Sequence, residues 1–156
     1  MKNIVLFLDV DGVLNQYDNH ERMKRYKISE KDGFSEETDE FNPYQKKVKR
    51  LAKLVKTFNI DVYVFSAWTE GNLQPHLPFK LKGDTGKWIK NVNKIAEDYK
   101  YSILIDDEIS AILLNGTNCS EERLNENILT YQPYFNHGLV SKDFRKLEKI
   151  FSFFNV

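Results

Sequence analysis

The chain has 156 residues, the size of one domain whose core needs no covalent staples. Its 41% apolar and 29% charged content excludes disordered, collagen-like and membrane-spanning classes. Basic and acidic residues balance at 23 each, so the chain lacks the overall surplus of a general electrostatic nucleic-acid binder while still allowing a local basic groove. A single cysteine excludes an internal disulfide framework and a Cys-based zinc finger.

Asn3 to Asp9 is a continuous apolar run, the pattern of a strand buried on both faces of a parallel sheet. Lys2 before Ile4–Leu8 has the outline of a secretion signal, but the run is too short and ends in Asp9 and Asp11 rather than in small residues. The expectation is therefore a cytoplasmic protein. Gly12 breaks the strand. Residues 15–43 are polar, hold no sustained period, and read as an excursion serving as a flap or minimal cap. Asn42 is expected to cap a helix with Pro43 at its first position. Tyr44, Val48, Leu51, Val55 and Phe58 give that helix one apolar stripe, and Lys46, Lys47, Lys49 and Arg50 read as its solvated faces.

Ile60–Phe65 is a second strand, ending at Ser66, and the Gly- and Pro-rich stretch 67–83 reads as loop. Asp84 or Thr85 is expected to open a second helix with Trp88, Val92, Ile95 and Tyr99 in its stripe. Tyr101–Ile105 is a third strand, ending at Asp106-Asp107. A short helical piece follows at Ile109–Leu114, then a fourth strand at Ile128–Tyr131. Ser141 is expected to cap a last helix with Phe144, Leu147, Phe151 and Phe154 inward. Strands alternating with helices predict an α/β fold with a parallel sheet and right-handed crossovers, in which ligands bind beyond the carboxyl ends of the strands.

The polar residues at those ends are Asp9 and Asp11, Ser66, and Asp106 and Asp107. Several carboxylates on one rim repel and raise one another's pKa, a conflict that a hard divalent cation resolves; Mg²⁺ is the usual choice where phosphate also binds. A calcium loop does not account for Asp9-Val10-Asp11-Gly12, because Gly12 falls at position four and His20 at position twelve. The bland rival is that these aspartates merely form turns. Ser66 as a plain strand-end hydroxyl, and Lys87 as one of several solvated lysines with Lys82 and Lys90, are the corresponding rivals for those residues. Cys119 has no indicated partner histidine, and His20, His76 and His137 lack metal-ligand spacing. Trp68 beside Ser66 can equally stack on a substrate base or pack under the loop.

Asp9-Val10-Asp11-Gly12-Val13-Leu14-Asn15 after an apolar strand resembles the first motif of the haloacid dehalogenase (HAD) phosphatases. Ser66 in Val64-Phe65-Ser66-Ala67-Trp68 is similar to the second motif, Lys87 in Gly86-Lys87-Trp88 to the third, and Ile105-Asp106-Asp107-Glu108 to the acidic fourth. The resemblance spans about residues 3–140, and the His137-Gly138-Leu139 tail is similar to small HAD domains, including those of RNA-repair proteins. It implies a single HAD-like domain over 1–156, a Rossmann-like three-layer sandwich with a mostly parallel central sheet.

The chemistry so implied is hydrolysis of a phosphomonoester. Asp9 would be the nucleophile forming an aspartyl-phosphate, and Asp11 the general acid and base. Mg²⁺ would be held by Asp9, the Asp11 backbone carbonyl and Asp106, with Asp107 binding it through water or orienting a ligand. Ser66 and Lys87 would hold the phosphoryl oxygens. An Asp at position 11 resembles the phosphatase branch and argues against a dehalogenase. Neither interval between motifs holds a folded cap, so an open site is expected, suited to a phosphate on something large such as a polynucleotide end or a phosphoprotein, and also open to a nucleotide. No membrane and no obligate protein partner are indicated. Two alternatives belong to other classes: a non-catalytic phosphate- and metal-binding interaction module, and a phosphotransferase to an acceptor alcohol.

Overall fold

The structure, a computed structural model, describes residues 2–15, 43–115, 122–133 and 138–155. The expected flap at 15–43 (apart from its end residues), the Asn42 cap, Cys119, His20 and His137 lie outside the described residues.

Five strands form one sheet: β1 (Lys2–Leu8), β2 (Asp61–Val64), β3 (Gly83–Asp84), β4 (Tyr99–Ile105) and β5 (Leu129–Tyr131). Their order is β3-β2-β1-β4-β5, and every neighbouring pair is parallel. β1 sits at the centre and, like its neighbour β4, carries apolar residues on both faces. Ile4, Leu6 and Leu8 enter one core, and Val5 and Phe7 enter the other. Helices α1 (Gln45–Phe58) and α5 (Ser141–Phe154) cover the first face through Val48, Leu51, Val55, Phe144, Leu147 and Phe151. Helices α3 (Ile89–Ala96) and α4 (Ile109–Asn115) cover the second through Ile89, Val92, Ala96, Ile109 and Ile112. The result is the three-layer, Rossmann-like α/β sandwich expected from the alternation of elements. Among the described residues, no helix is long and apolar enough to cross a membrane.

The differences from expectation are local, and each has a cause. α1 starts at Gln45 because the Tyr44 N–H is held by the Leu14 carbonyl at 2.8 Å, which keeps residue 44 extended. The stretch 67–83 is not all loop: α2 (Glu70–Leu73) is capped by Thr69, whose Oγ1 accepts the Asn72 N–H, and a 3₁₀ turn follows at Gln74–His76. Asp84 and Thr85 do not open the second helix. Asp84 belongs to β3, the Thr85 N–H bonds the Val64 carbonyl, and Gly86 is left-handed at φ 59°, so α3 begins only at Ile89. Trp88 therefore precedes the helix and is exposed rather than part of its apolar stripe, while Tyr99 starts β4. The last helix is capped at Val140, whose N–H donates to Asp143 Oδ2, rather than by Ser141.

Candidate functional site

The register of the sheet brings the strand ends level. Leu8 lies opposite Val64 on β2 and Ile105 on β4, and Val64 lies opposite Asp84 on β3. The residues just beyond are Asp9, Phe65 and Ser66, Thr85 and Asp106. Strand order reverses at β1, with β2 and β3 on one side and β4 and β5 on the other, so Asp9 and Asp106 flank the topological switch point. Backbone hydrogen bonds prolong the sheet by one step there. Asp9 N–H donates to the Ile105 carbonyl at 3.0 Å, Phe65 N–H to that of Leu8 at 2.8 Å, and Asp106 N–H to that of Tyr131 at 3.2 Å.

Three of the expected carboxylates converge. Asp9, Asp106 and Asp107 each offer an oxygen within 4.8 Å of the others, Asp9 and Asp106 being buried. Lys87 enters from the segment between β3 and α3. Its Nζ lies 2.7 Å from Asp106 Oδ2 and 3.4 Å from Asp9 Oδ1, and 4.9 Å from the centroid of the Phe65 ring. The other oxygen of Asp106 accepts the Glu108 N–H at 2.8 Å, which fixes the carboxylate.

Burial and the neighbouring Asp106 push the Asp9 carboxyl well above its ordinary value, with Lys87 opposing them. Burial, reinforced by Asp106, raises Asp107 to about 6. For Lys87, burial favours the neutral amine, but Asp9 and Asp106 outweigh it and raise the ammonium. Three clustered carboxylates with one ammonium among the described residues leave excess negative charge in a largely buried place. That is the electrostatic demand a divalent cation with oxygen ligands meets, so the donor set fits such an ion.

Asp11 is held differently. Its side chain is outside the cluster, where Oδ1 accepts from Asn15 Nδ2 at 3.1 Å and from Trp68 Nε1 at 3.4 Å. Ser66 is buried just beyond β2, and its Oγ accepts the Trp68 N–H at 3.1 Å. Trp68 thus packs against this loop, edge-on to His76 with 5.7 Å between centroids.

Sequence reasoning assigned no part to Asn15 or to the contact made by Gly12. Asn15 is fully buried and does two things at once: its Oδ1 accepts the Gly12 N–H at 2.9 Å while its amide holds Asp11. Gly12 adopts φ 78°, and a Cβ there would lie 2.2 Å from Asp107 Oδ2. Only glycine lets this loop approach Asp107 so closely. Gly138, also left-handed, lies so close to the Val13 and Asn15 carbonyls that a Cβ would meet both below 3 Å, and the Leu139 N–H donates to Val13. The signal for Asn15 was its place in the seven-residue run from Asp9, but its partners are set by a turn that spacing does not describe.

Comparison with known proteins adds one positive finding. A family model described as the HAD domain in Swiss Army Knife RNA repair proteins matches residues 5–124. Neither the curated proteins nor the solved structures yield a match. The chain belongs to this HAD-domain family.

Proposed function

We propose that this HAD domain, taken as one unit over residues 1–156, is a Mg²⁺-dependent phosphatase that hydrolyses phosphomonoesters at polynucleotide ends through an aspartyl-phosphate. The observation that carries the reading is the Lys87 ammonium poised between Asp9 and Asp106, beside Asp107, at the switch point of the sheet. The RNA-repair description of the family favours a nucleic-acid end over a free metabolite as the source of the phosphate.

In this reading an Asp9 oxygen attacks phosphorus while the ester P–O bond breaks. The Asp11 carboxyl gives its proton to the departing oxygen. Asp11, now a carboxylate, then takes a proton from water as that water attacks phosphorus, releasing inorganic phosphate and restoring Asp9. Asn15 and Trp68 position Asp11 for both transfers. Lys87 and the Ser66 hydroxyl stabilise the charge that spreads over the phosphoryl oxygens. Asp9, Asp106 and Asp107, with the Asp11 backbone carbonyl, would hold Mg²⁺, whose contribution is charge neutralisation and orientation of the phosphoryl group.

A turnover screen of end-phosphorylated oligonucleotides, mononucleotides, sugar phosphates and phosphopeptides, with Asp9→Asn as blank, tests the reading. Mg²⁺-dependent release of phosphate from oligonucleotide ends is expected. Undiminished turnover after exhaustive chelation would overturn the metal assignment, and turnover that rises only with an added alcohol would favour a phosphotransferase.

A further inference from the structure

The sheet face covered by α1 and α5 carries charge of the opposite sign to the carboxylate rim. α1 bears six lysines and arginines and no carboxylate, and α5 bears four against Asp143 and Glu148. Together the two helices hold a net eight positive charges in a chain whose net charge is zero. Asp143, one of the two carboxylates, is buried and engaged by the Val140 N–H and the Tyr131 hydroxyl, so it does little to mask the surface.

The seam between the helices is grooved. A cavity of about 280 Å³ is lined by Lys46, Lys47, Arg50, Val140, Ser141 and Phe144 among others. A smaller one of about 120 Å³, lined in part by Lys53, Thr57 and Glu148, shares Arg50 and Phe144 with it and continues the groove. Arg50 is fixed at the junction: Nη1 donates to Ser141 Oγ at 2.6 Å, and the guanidinium lies 4.9 Å from the Phe144 ring centroid. A guanidinium held this way is organised in advance for phosphate. Lys46, Arg50 and Lys53 recur at spacings of four and three, so they form one stripe along about 10 Å of helix, the length of roughly three stacked nucleotides.

One end of the groove, at Leu139, is tied by hydrogen bonds to the loop that follows Asp11. Lys47 Nζ donates to the Leu139 carbonyl at 2.7 Å, and Leu139 N–H donates to Val13, two residues beyond Asp11.

We infer that this seam is a docking track for the phosphodiester backbone of a single-stranded polynucleotide whose end occupies the site, an inference that rests on the phosphatase reading above. A row of cations lined up on one helix and leading to a phosphate-handling loop suits a regular polyanion better than an acidic protein segment.

The test is fluorescence anisotropy with a short hydroxyl-ended single-stranded RNA, titrated at several salt concentrations. Such a strand offers no terminal phosphate to Lys87. The triple variant Lys46→Gln, Arg50→Gln, Lys53→Gln should bind at least about tenfold more weakly, with the salt slope reduced by about 2, since each single-strand phosphate contact contributes roughly 0.7. The matched triple Lys90→Gln, Lys94→Gln, Lys100→Gln, which alters residues outside the seam, should leave both quantities near wild type. Circular dichroism melts establish that each variant is folded, and Lys46→Gln with Lys53→Gln replaces the first triple if Arg50 proves necessary for folding. Equal losses in the two sets, or none in the first, would overturn the track. So would competition by a glutamate-rich peptide of equal charge as effective as that of unlabelled RNA, which would point to an acidic protein partner. Because the assay reads no turnover, its failure removes the track alone, whereas an inactive protein in the substrate screen removes the phosphatase reading.

Discussion

The carboxylate rim and the α1–α5 face are both rich in charge, yet they obey different physics. At the rim, Asp9 and Asp106 are almost wholly shielded from water, and Lys87 answers them at 3.4 and 2.7 Å. On the helices, Lys46, Lys49, Arg50 and Lys53 are exposed and solvated, so their charge requires no partner. A buried charge must be matched locally, whereas an exposed one acts on whatever approaches from solution. Equal totals of acid and base across the chain therefore conceal two regions that do different work.

The largest effect should come from the centre of the rim. Asp9→Asn keeps the shape but removes the proposed nucleophile, and turnover of an aryl phosphate should fall by ~10⁴-fold or more, with no phosphoryl mass on the protein in rapid-quench mass spectrometry. Asp11→Asn should cost ~10²–10⁴-fold, and less for an aryl than for an alkyl ester, because an aryl leaving group needs little protonation. The reverse ranking would exchange the two roles.

Next is Lys87, the cation that the described residues bring to the rim. Lys87→Ala should reduce turnover by ~10²-fold, while Lys82→Ala and Lys90→Ala, both exposed, should change it by less than about twofold. Similar small losses at all three would erase the distinction between a matched and a solvated lysine.

Gly12→Ala probes how closely the rim is packed. The added Cβ meets Asp107 and φ is 78°, so urea unfolding should show a loss of about 1–3 kcal/mol together with weaker activity. An unchanged midpoint would mean that the loop yields freely.

The raised carboxyls predict a pH dependence whose sign is opposite to that of an ordinary salt-bridged aspartate. Asp107 rises from its ordinary 3.8 to about 6, and Asp9 is raised as well. Between those values the folded, metal-free protein holds protons that the unfolded chain has released, so stability falls as pH rises through the window. Melts in chelator should show Tm declining from pH 4 to pH 6 on this account, Asp107→Asn should flatten the decline, and Mg²⁺ should raise Tm more at pH 7.5 than at pH 4.5. A Tm gain from Mg²⁺ that is equal at both pH values would separate the metal from these carboxylates.

The smallest effect belongs to the solvated face. Lys49→Gln should alter stability by no more than about 0.5 kcal/mol, measured by the same melts.

The central strands and their terminal aspartates were legible because a strand buried on both faces must be apolar throughout, and an aspartate directly after such a run stands out. β1, β4 and the carboxylate rim follow from that pattern, whereas Lys87 is singled out from Lys82 and Lys90 only by the resemblance to the third HAD motif; the register then brings Asp9 and Asp106 side by side. Short elements were not legible. A two-residue β3 and a four-residue α2 have too few positions to show a period, so 67–83 reads as loop and the predicted second helix starts too early.

Trp88, Val92, Ile95 and Tyr99 fit a helical stripe by spacing alone. The left-handed Gly86 and the β3 hydrogen bonds delayed the helix past Trp88 and left that side chain exposed. Spacing likewise read the cations of α1 as a solvated surface. It could not show that α5, some ninety residues later in the chain, lies against the same sheet face and joins its charge to theirs. Periodicity along one segment encodes which side of an element is apolar. Which element that side meets, and hence which charges become neighbours, depends on contacts between distant segments: the Lys47–Leu139 bond, the Asn15 clamp on Asp11, and the space that Gly12 leaves for Asp107.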